Sequence, residues 1–253
     1  EMDFAGGLPG GYDDPRYEIP EMIVLWGKNP LPSNPDGLFG HAVVDLMKRG
    51  SKLMVIDPRV NWPATRAAYH LQIRPGTDGA LAMAFLNIII SEGLYDHEFV
   101  DKWCYGFEQL AERVKTMPPE KAAEICDIPV AELYEASIAY ANAKPASIVW
   151  GLAIDQNPNG VQVGQCILAL MAITGNLDVP GGQALVDITE GEGDAMVAGI
   201  GWKTLDDNLK KKLIGLEEYP AYCEIMLMAQ ADLTLDVLET GEPYPLKLAW
   251  MAS

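Results

Sequence analysis

The loop after the first apolar run of this sequence has no G-x-G-x-x-G, and no G-x-x-x-x-G-K-[ST] occurs in the chain. The first absence counts against ordinary NAD or FAD binding, and the second excludes a P-loop NTPase. Cysteines are few and scattered: Cys104, Cys126, Cys166 and Cys223 form no C-x-x-C pair. That removes a zinc knuckle and a local iron–sulfur framework, and each thiol reads as a small core residue. Positive charge is scarce, with 18 Lys and Arg against 36 Asp and Glu and a net charge of −18. That balance argues against a nucleic-acid-binding surface, which wants a basic face. The longest apolar runs, Ala80–Ile90 and Cys166–Ile173, are too short for a membrane span and read as buried helices. Three histidines are present; His41, His70 and His97 sit on a helix, at a strand start and at a helix start, and read as structural.

What is present is enough apolar material for a sizeable core, 49% of 253 residues. Residues 1–20 are rich in Gly, Pro and Asp and read as an irregular lead without a secretory leader. The chain as a whole reads as an internal piece of a larger protein. Three short apolar runs, Met22–Trp26, Lys52–Ile56 and His70–Ile73, read as strands. A helix from Gly37 to about Arg49, capped by Asp36 and stopped by Gly50, joins the first two as a right-handed crossover unit. Asp78 is placed to cap a helix over Gly79–Ser91, which is apolar nearly all round. Short amphipathic helices follow at His97–Trp103, Phe107–Lys115, Pro118–Cys126 and Val130–Ala143, a helical insertion over about 96–143. Ser147–Trp150 reads as a returning strand, followed by a polar loop Asp155–Gly160 and a helix Val161–Thr174. The expected class is therefore α/β, with a Rossmann-like, mainly parallel sheet over 21–182. Beyond it, 183–253 reads as an acidic loop to Gly201, helices at Leu205–Ile214 and Ile225–Glu239, and a final strand. Pro243–Trp250 echoes Pro20–Trp26, as if a second α/β half began there.

Each of the first three strands runs into a polar loop marked by Gly or Pro: Trp26-Gly27-Lys28-Asn29-Pro30, Ile56-Asp57-Pro58-Arg59 and Arg74-Pro75-Gly76-Thr77-Asp78. The carboxyl ends of the strands are where open α/β sheets bind nucleotides. Gly27 permits close backbone approach, Asn29 offers a donor and an acceptor, and Lys28 and Ser33 can reach phosphate oxygens. Asp57 is placed for ribose hydroxyls and Arg59 for a bidentate phosphate contact. The alternatives are a turn aspartate and a surface ion pair. Asp78 could accept the paired N–H groups of a guanine edge, cap the helix, or do both. Lys28, Arg59, Arg66 and Arg74 make this edge locally basic in an acidic chain.

Taken in order, Trp-Gly-x-Asn-Pro, Ile-Asp-Pro-Arg with Thr65 and Ala67 beyond it, and Arg-Pro-Gly-Thr-Asp-x-Ala-Leu resemble the molybdopterin oxidoreductases of the dimethyl sulfoxide reductase family. The resemblance continues through Glu92–Phe99, Gly151–Gly160 and Thr174-Gly-Asn-x-x-x-Pro-Gly-Gly182. In that family molybdenum or tungsten is held by the dithiolenes of two pterin guanine dinucleotides. By position, Trp26, Gly27, Asn29, Pro30 and Ser33 would line phosphate or pterin, and Asp57, Pro58 and Arg59 the nucleotide. Gly76, Thr77 and Asp78 would meet the guanine end, and Leu152 and Gln156 the pterin, although Asn157 stands where some members have His. The resemblance implies two-electron redox chemistry in the whole enzyme, with no catalytic residue or metal ligand from this stretch. An iron–sulfur cluster could be carried upstream. Partners would be the remaining domains of the same polypeptide and an electron-transfer subunit. The alternative is a non-catalytic nucleotide-binding or assembly domain of the same fold.

Overall fold

Strand β1 (Met22–Trp26) is flanked by β2 (Lys52–Ile56) and β4 (Ala146–Trp150), and β3 (Tyr69–Leu71) lies outside β2. All three pairings are parallel and in register, with Trp26 opposite both Ile56 and Trp150. The computed structural model describes residues 18–33, 38–183, 205–226 and 228–250. The chain divides into two compact units, Glu1–Val186 and Asp187–Ser253.

In the first unit the strands are apolar because both faces of the sheet are covered, as expected of a parallel sheet. Met22, Val24, Trp26, Met54, Ile56, Ala146 and Ile148 face one core, while Ile23, Leu25, Leu53, Val55 and Val149 face the other. After the single turn α1 (Pro30–Ser33), helix α2 (Leu38–Lys48) covers the second face through Phe39, Val43 and Leu46. The first face is covered by α3 (Asp78–Ser91), which contributes eight buried residues. Packed on α3 are α5 (Phe107–Val114), α6 (Pro119–Cys126) and α7 (Val130–Asn142), preceded by α4 (His97–Trp103). Within this helical stretch, expected as a cap or insertion, Val114, Ala122, Cys126, Leu133 and Tyr140 contribute to the main core. After β4 come the turn α8 (Leu152–Asp155) and α9 (Gly160–Ile173), which also packs on α3.

Several sequence expectations need correction. β3 ends at Leu71 because its partner β2 ends at Ile56, opposite Leu71. Gln72 instead donates its side-chain amide to the Pro58 carbonyl, at 2.8 Å. Asp78 does not cap α3: it is the first helical residue, and Thr77 holds the cap position without a side-chain cap bond. A helical turn, α8, precedes the polar loop expected at Asp155–Gly160 and ends on its first residue.

In the second unit, α10 is confined to Asp207–Lys210, capped by the Asp206 carboxylate, and gives way to turns across the three-lysine run. The single helix expected over 225–239 is two, α11 (Pro220–Met226) and α12 (Ala231–Thr240). The Gln230 side chain accepts from Asp232 N and so starts the second one afresh. Residues 241–250 form no strand: among the described residues nothing pairs with them, and Leu248 and Trp250 stand 84% and 89% exposed. The expected Asp36 cap and the acidic loop at 184–201 lie outside the described residues.

Candidate nucleotide-binding edge

Parallel pairing brings the carboxyl ends of all four strands to one edge. The order β3-β2-β1-β4 makes the chain leave β1 toward β2 on one side and return to β4 on the other. The crevice between β1 and β4 is thus a topological switch point, where open α/β sheets take their ligands. The loops 27–30 and 151–156 meet there, with 57–66 and 72–78 beside them. Helices α3 and α9 both begin at this edge, and their free N–H groups favour an anion.

The switch point is unusually tight. Gly151 N donates to the Trp26 carbonyl at 3.0 Å, and Gly27 N to the Ile56 carbonyl at 2.8 Å. A Cβ on Gly151 would lie 2.4 Å from the Gly27 carbonyl oxygen, and one on Gly27, whose φ is +57°, 2.7 Å from the Ala153 Cβ. The two loops are therefore packed directly on one another, with Ala153 over Gly27 and the Gly27 backbone over Gly151. In the second of them Leu152, at 55%, and Gln156 are exposed. Asn29 lies half-buried in the first loop. Its Oδ1 is buried without a hydrogen-bond partner among the described residues. Pro30 is buried beneath it, and Ser33, at the end of α1, is exposed. Lys28 lies with its Nζ 5.3 Å from the centre of the Phe39 ring.

The second loop is shaped by its own aspartate. Asp57 Oδ1 accepts from Arg59 N at 2.7 Å and Oδ2 from Asn61 Nδ2 at 3.1 Å, so the turn alternative applies to both oxygens. Pro58 and Arg59 are exposed, and among the described residues no ion pair engages Arg59. Arg66 is stacked over Trp62, 4.0 Å from the ring centre, and Arg74 Nη2 lies 3.9 Å from Asp127 Oδ2. Among the described residues, Arg59 is the one of the four expected basic residues whose side chain has no partner.

The third loop is pinned at its base and free at its tip. Arg74 N donates to the Cys126 carbonyl at 2.8 Å, Thr77 Oγ1 to the Arg74 carbonyl at 2.6 Å, and Cys126 Sγ to the Thr77 carbonyl at 3.6 Å. Burial pushes the Cys126 thiol up, which keeps it a neutral donor. Pro75 and Gly76 are exposed. Asp78 is buried, 7% exposed, and its Oδ1 accepts from the Trp26 indole at 2.9 Å. Trp26 itself is 1% exposed and packs 6.2 Å from Phe85, so it offers the edge its backbone and not its ring.

All thirteen residues expected from the sequence thus stand on or directly beneath this edge, with Trp26, Pro30 and Asp78 buried. Gly151, Ala153 and Cys126 belong to the arrangement and were missed as site residues. The G-x₁₂₃-G relation of Gly27 to Gly151 has no local sequence signature. A cavity of about 470 Å³ opens at the opposite edge between Glu21, Lys52, Tyr69 and Asn142. It lies at the strand starts, away from the ends that carry ligand loops. Among the described residues no cluster of His, Cys, Asp and Glu could hold a metal ion, and no helix is long and apolar enough to cross a membrane.

Residues 15–235 match the family model described as molybdopterin oxidoreductase. An acetylene hydratase of Syntrophotalea acetylenica is 40% identical over 161 residues, covering 63% of this chain and 22% of that protein. An F420-dependent formate dehydrogenase alpha subunit of Methanocaldococcus jannaschii is 34% identical, covering 70% and 26%. A probable dimethyl sulfoxide reductase chain of Escherichia coli is 31% identical over 242 residues, covering 85% and 29%. The solved acetylene hydratase from Pelobacter acetylenicus superposes with a TM-score of 0.73 at 30% identity, covering 96% of this chain and 36% of that one. The chain therefore spans between a fifth and a third of the length of these curated relatives.

Proposed function

The chain belongs to the molybdopterin oxidoreductase family, and we propose that its switch-point edge holds one pterin guanine dinucleotide of a bis-pterin molybdenum or tungsten oxidoreductase. The observation that carries this reading is the unpartnered Asn29 Oδ1 in the first loop, at the point where the Gly27 and Gly151 loops pack together. A buried acceptor without a donor is costly, and a pterin supplies ring N–H groups. The residues present fit the group.

On this reading Gly27, Asn29, Pro30 and Ser33, with the backbone of Trp26, hold pterin and phosphate. Leu152 and Gln156 close over the pterin from the β4 side. Arg59, presented by the Asp57 turn and Pro58, takes the phosphates, with the starts of α3 and α9 adding their dipoles. Gly76 and Thr77 form the guanine end, carried by the base that Asp78 anchors. When bound, such a cofactor supplies two-electron redox chemistry at its metal, and this chain supplies binding and orientation. No side chain of the edge is assigned a catalytic role. The metal ligand, the second dinucleotide, any iron–sulfur cluster and any electron-transfer partner would come from the rest of the polypeptide or from another subunit.

Elemental analysis of the full-length protein tests the reading. Molybdenum or tungsten near one atom per polypeptide is expected. Neither metal in protein expressed with both supplied would refute the enzyme and favour the assembly-domain alternative.

A further inference from the structure

We infer that Trp26 is a positioning residue for the guanine nucleotide, and that Asp78 serves the site through it rather than by touching the base. The inference rests on the binding reading above and goes beyond it, because an aspartate in the third loop would otherwise be assigned to the guanine edge.

A carboxylate that receives the guanine N1–H and N2–H₂ together must present both oxygens outward. Asp78 is only 7% exposed, and its Oδ1 is taken by the Trp26 Nε1–H at 2.9 Å. Turning outward would strand the indole N–H of a residue that is 1% exposed inside the main core. That is the costly kind of unsatisfied group. The bond spans 52 positions of sequence. It ties the last residue of β1, whose next peptide begins the Gly27–Asn29 loop, to the first residue of α3, which carries the Gly76–Thr77 loop. The Phe85 ring and the Cys126 bonds hold the same two ends from below. A dinucleotide lying across both loops needs their separation fixed before it binds, since ordering them on binding would cost affinity. The Trp26–Asp78 bond fixes it.

The test compares Trp26→Phe, Asp78→Asn and Asp78→Ala in the full-length holoenzyme. The readouts are guanosine monophosphate released by acid per polypeptide, thermal midpoint, and hydrogen exchange of the 27–33 amides. Asparagine keeps an Oδ1 acceptor for the indole but loses the carboxylate. Asp78→Asn should therefore hold nucleotide within twofold of the unsubstituted enzyme, with unchanged exchange at 27–33. Trp26→Phe and Asp78→Ala should each lose more than half of it and exchange faster there, while remaining folded by thermal midpoint. If one of these two does not fold, the other carries the comparison. Loss of nucleotide in Asp78→Asn with retention in Trp26→Phe would make Asp78 a direct ligand and overturn the inference, as would full retention in all three. An unsubstituted enzyme that releases no guanosine would instead overturn the binding reading, and this inference with it.

Discussion

Gly151 carries the tightest constraint at the edge, because its missing Cβ would overlap a main-chain oxygen that cannot move independently of β1. Gly151→Ala should cost roughly 1–3 kcal/mol, the usual range for overpacking, and denaturant unfolding should register it as a lower midpoint with unchanged slope. Arg59 makes the opposite case, since it contributes little to the fold. Arg59→Ala should leave the midpoint unaltered and weaken nucleotide retention about tenfold or more, the scale of a lost charge-assisted bond of about 1.5–3 kcal/mol. Isothermal measurement of guanine nucleotide affinity at two salt concentrations would check it, with the salt dependence reduced in the variant. At this scale the sequence shows which residues gather but not which way they turn. Asp78 and Arg59 are both polar residues in Pro-marked loops. Only the packing of Trp26 under the sheet distinguishes a buried anchor from an exposed contact, and that depends on a partner 52 positions away.

Strand β4 has β1 on one side only, and its other edge is managed by side chains. Gln183 Oε1 accepts from Ile148 N at 2.6 Å and from Ser147 Oγ at 2.8 Å, and Asn176 Oδ1 accepts from Ala146 N at 2.9 Å. The Thr174-Gly-Asn-x-x-x-Pro-Gly-Gly182 stretch, with Gln183 after it, is thus a clasp on the β4 edge. Gln183→Leu should destabilise by about 2–4 kcal/mol, because two buried donors would lose their acceptor; chemical unfolding of the variant measures it. Below the clasp, burial pushes the Tyr140 phenol up to about 12, an effect its bonds to Thr174 and Asn176 moderate. The folded state therefore keeps its proton longer than the unfolded chain. Stability from this group is complete below about pH 10 and is lost as pH rises from there toward about 12. Unfolding midpoints between pH 9 and 11 should fall, and Tyr140→Phe should flatten that fall.

Elements of the first unit were legible because buried parallel strands are continuous apolar runs and α3 is apolar all round. In the second unit the break at Gln230 comes from a cap supplied by a glutamine, which leaves no periodic signal, and no pattern in the sequence marks the end of α10 at Lys210. The strand expected at 243–250 from its echo of Pro20–Trp26 does not form, because a matching sequence makes a strand only where another strand offers an edge.

At the scale of the molecule, the edge is open: Leu152, Gln156, Pro58 to Val60 and Arg74 to Gly76 stand toward solvent. A dinucleotide held on one side only keeps part of its surface in water, so the isolated chain should bind guanine nucleotide weakly and turn over no substrate. A redox-dye assay of residues 1–253 checks the second point, and turnover above background would contradict it. The parallel sheet, its order of use and the loops at its carboxyl ends were all implied by three short motifs. The switch point itself was not, because it needs β4 to return beside β1, and nothing local to Ser147–Trp150 specifies its neighbour. The most direct test of the edge's assignment is the nucleotide that full-length protein releases on acid hydrolysis, identified by mass spectrometry. Guanosine monophosphate, reduced in amount by Arg59→Ala, is the predicted result; an adenine nucleotide, or no nucleotide at all, would contradict it.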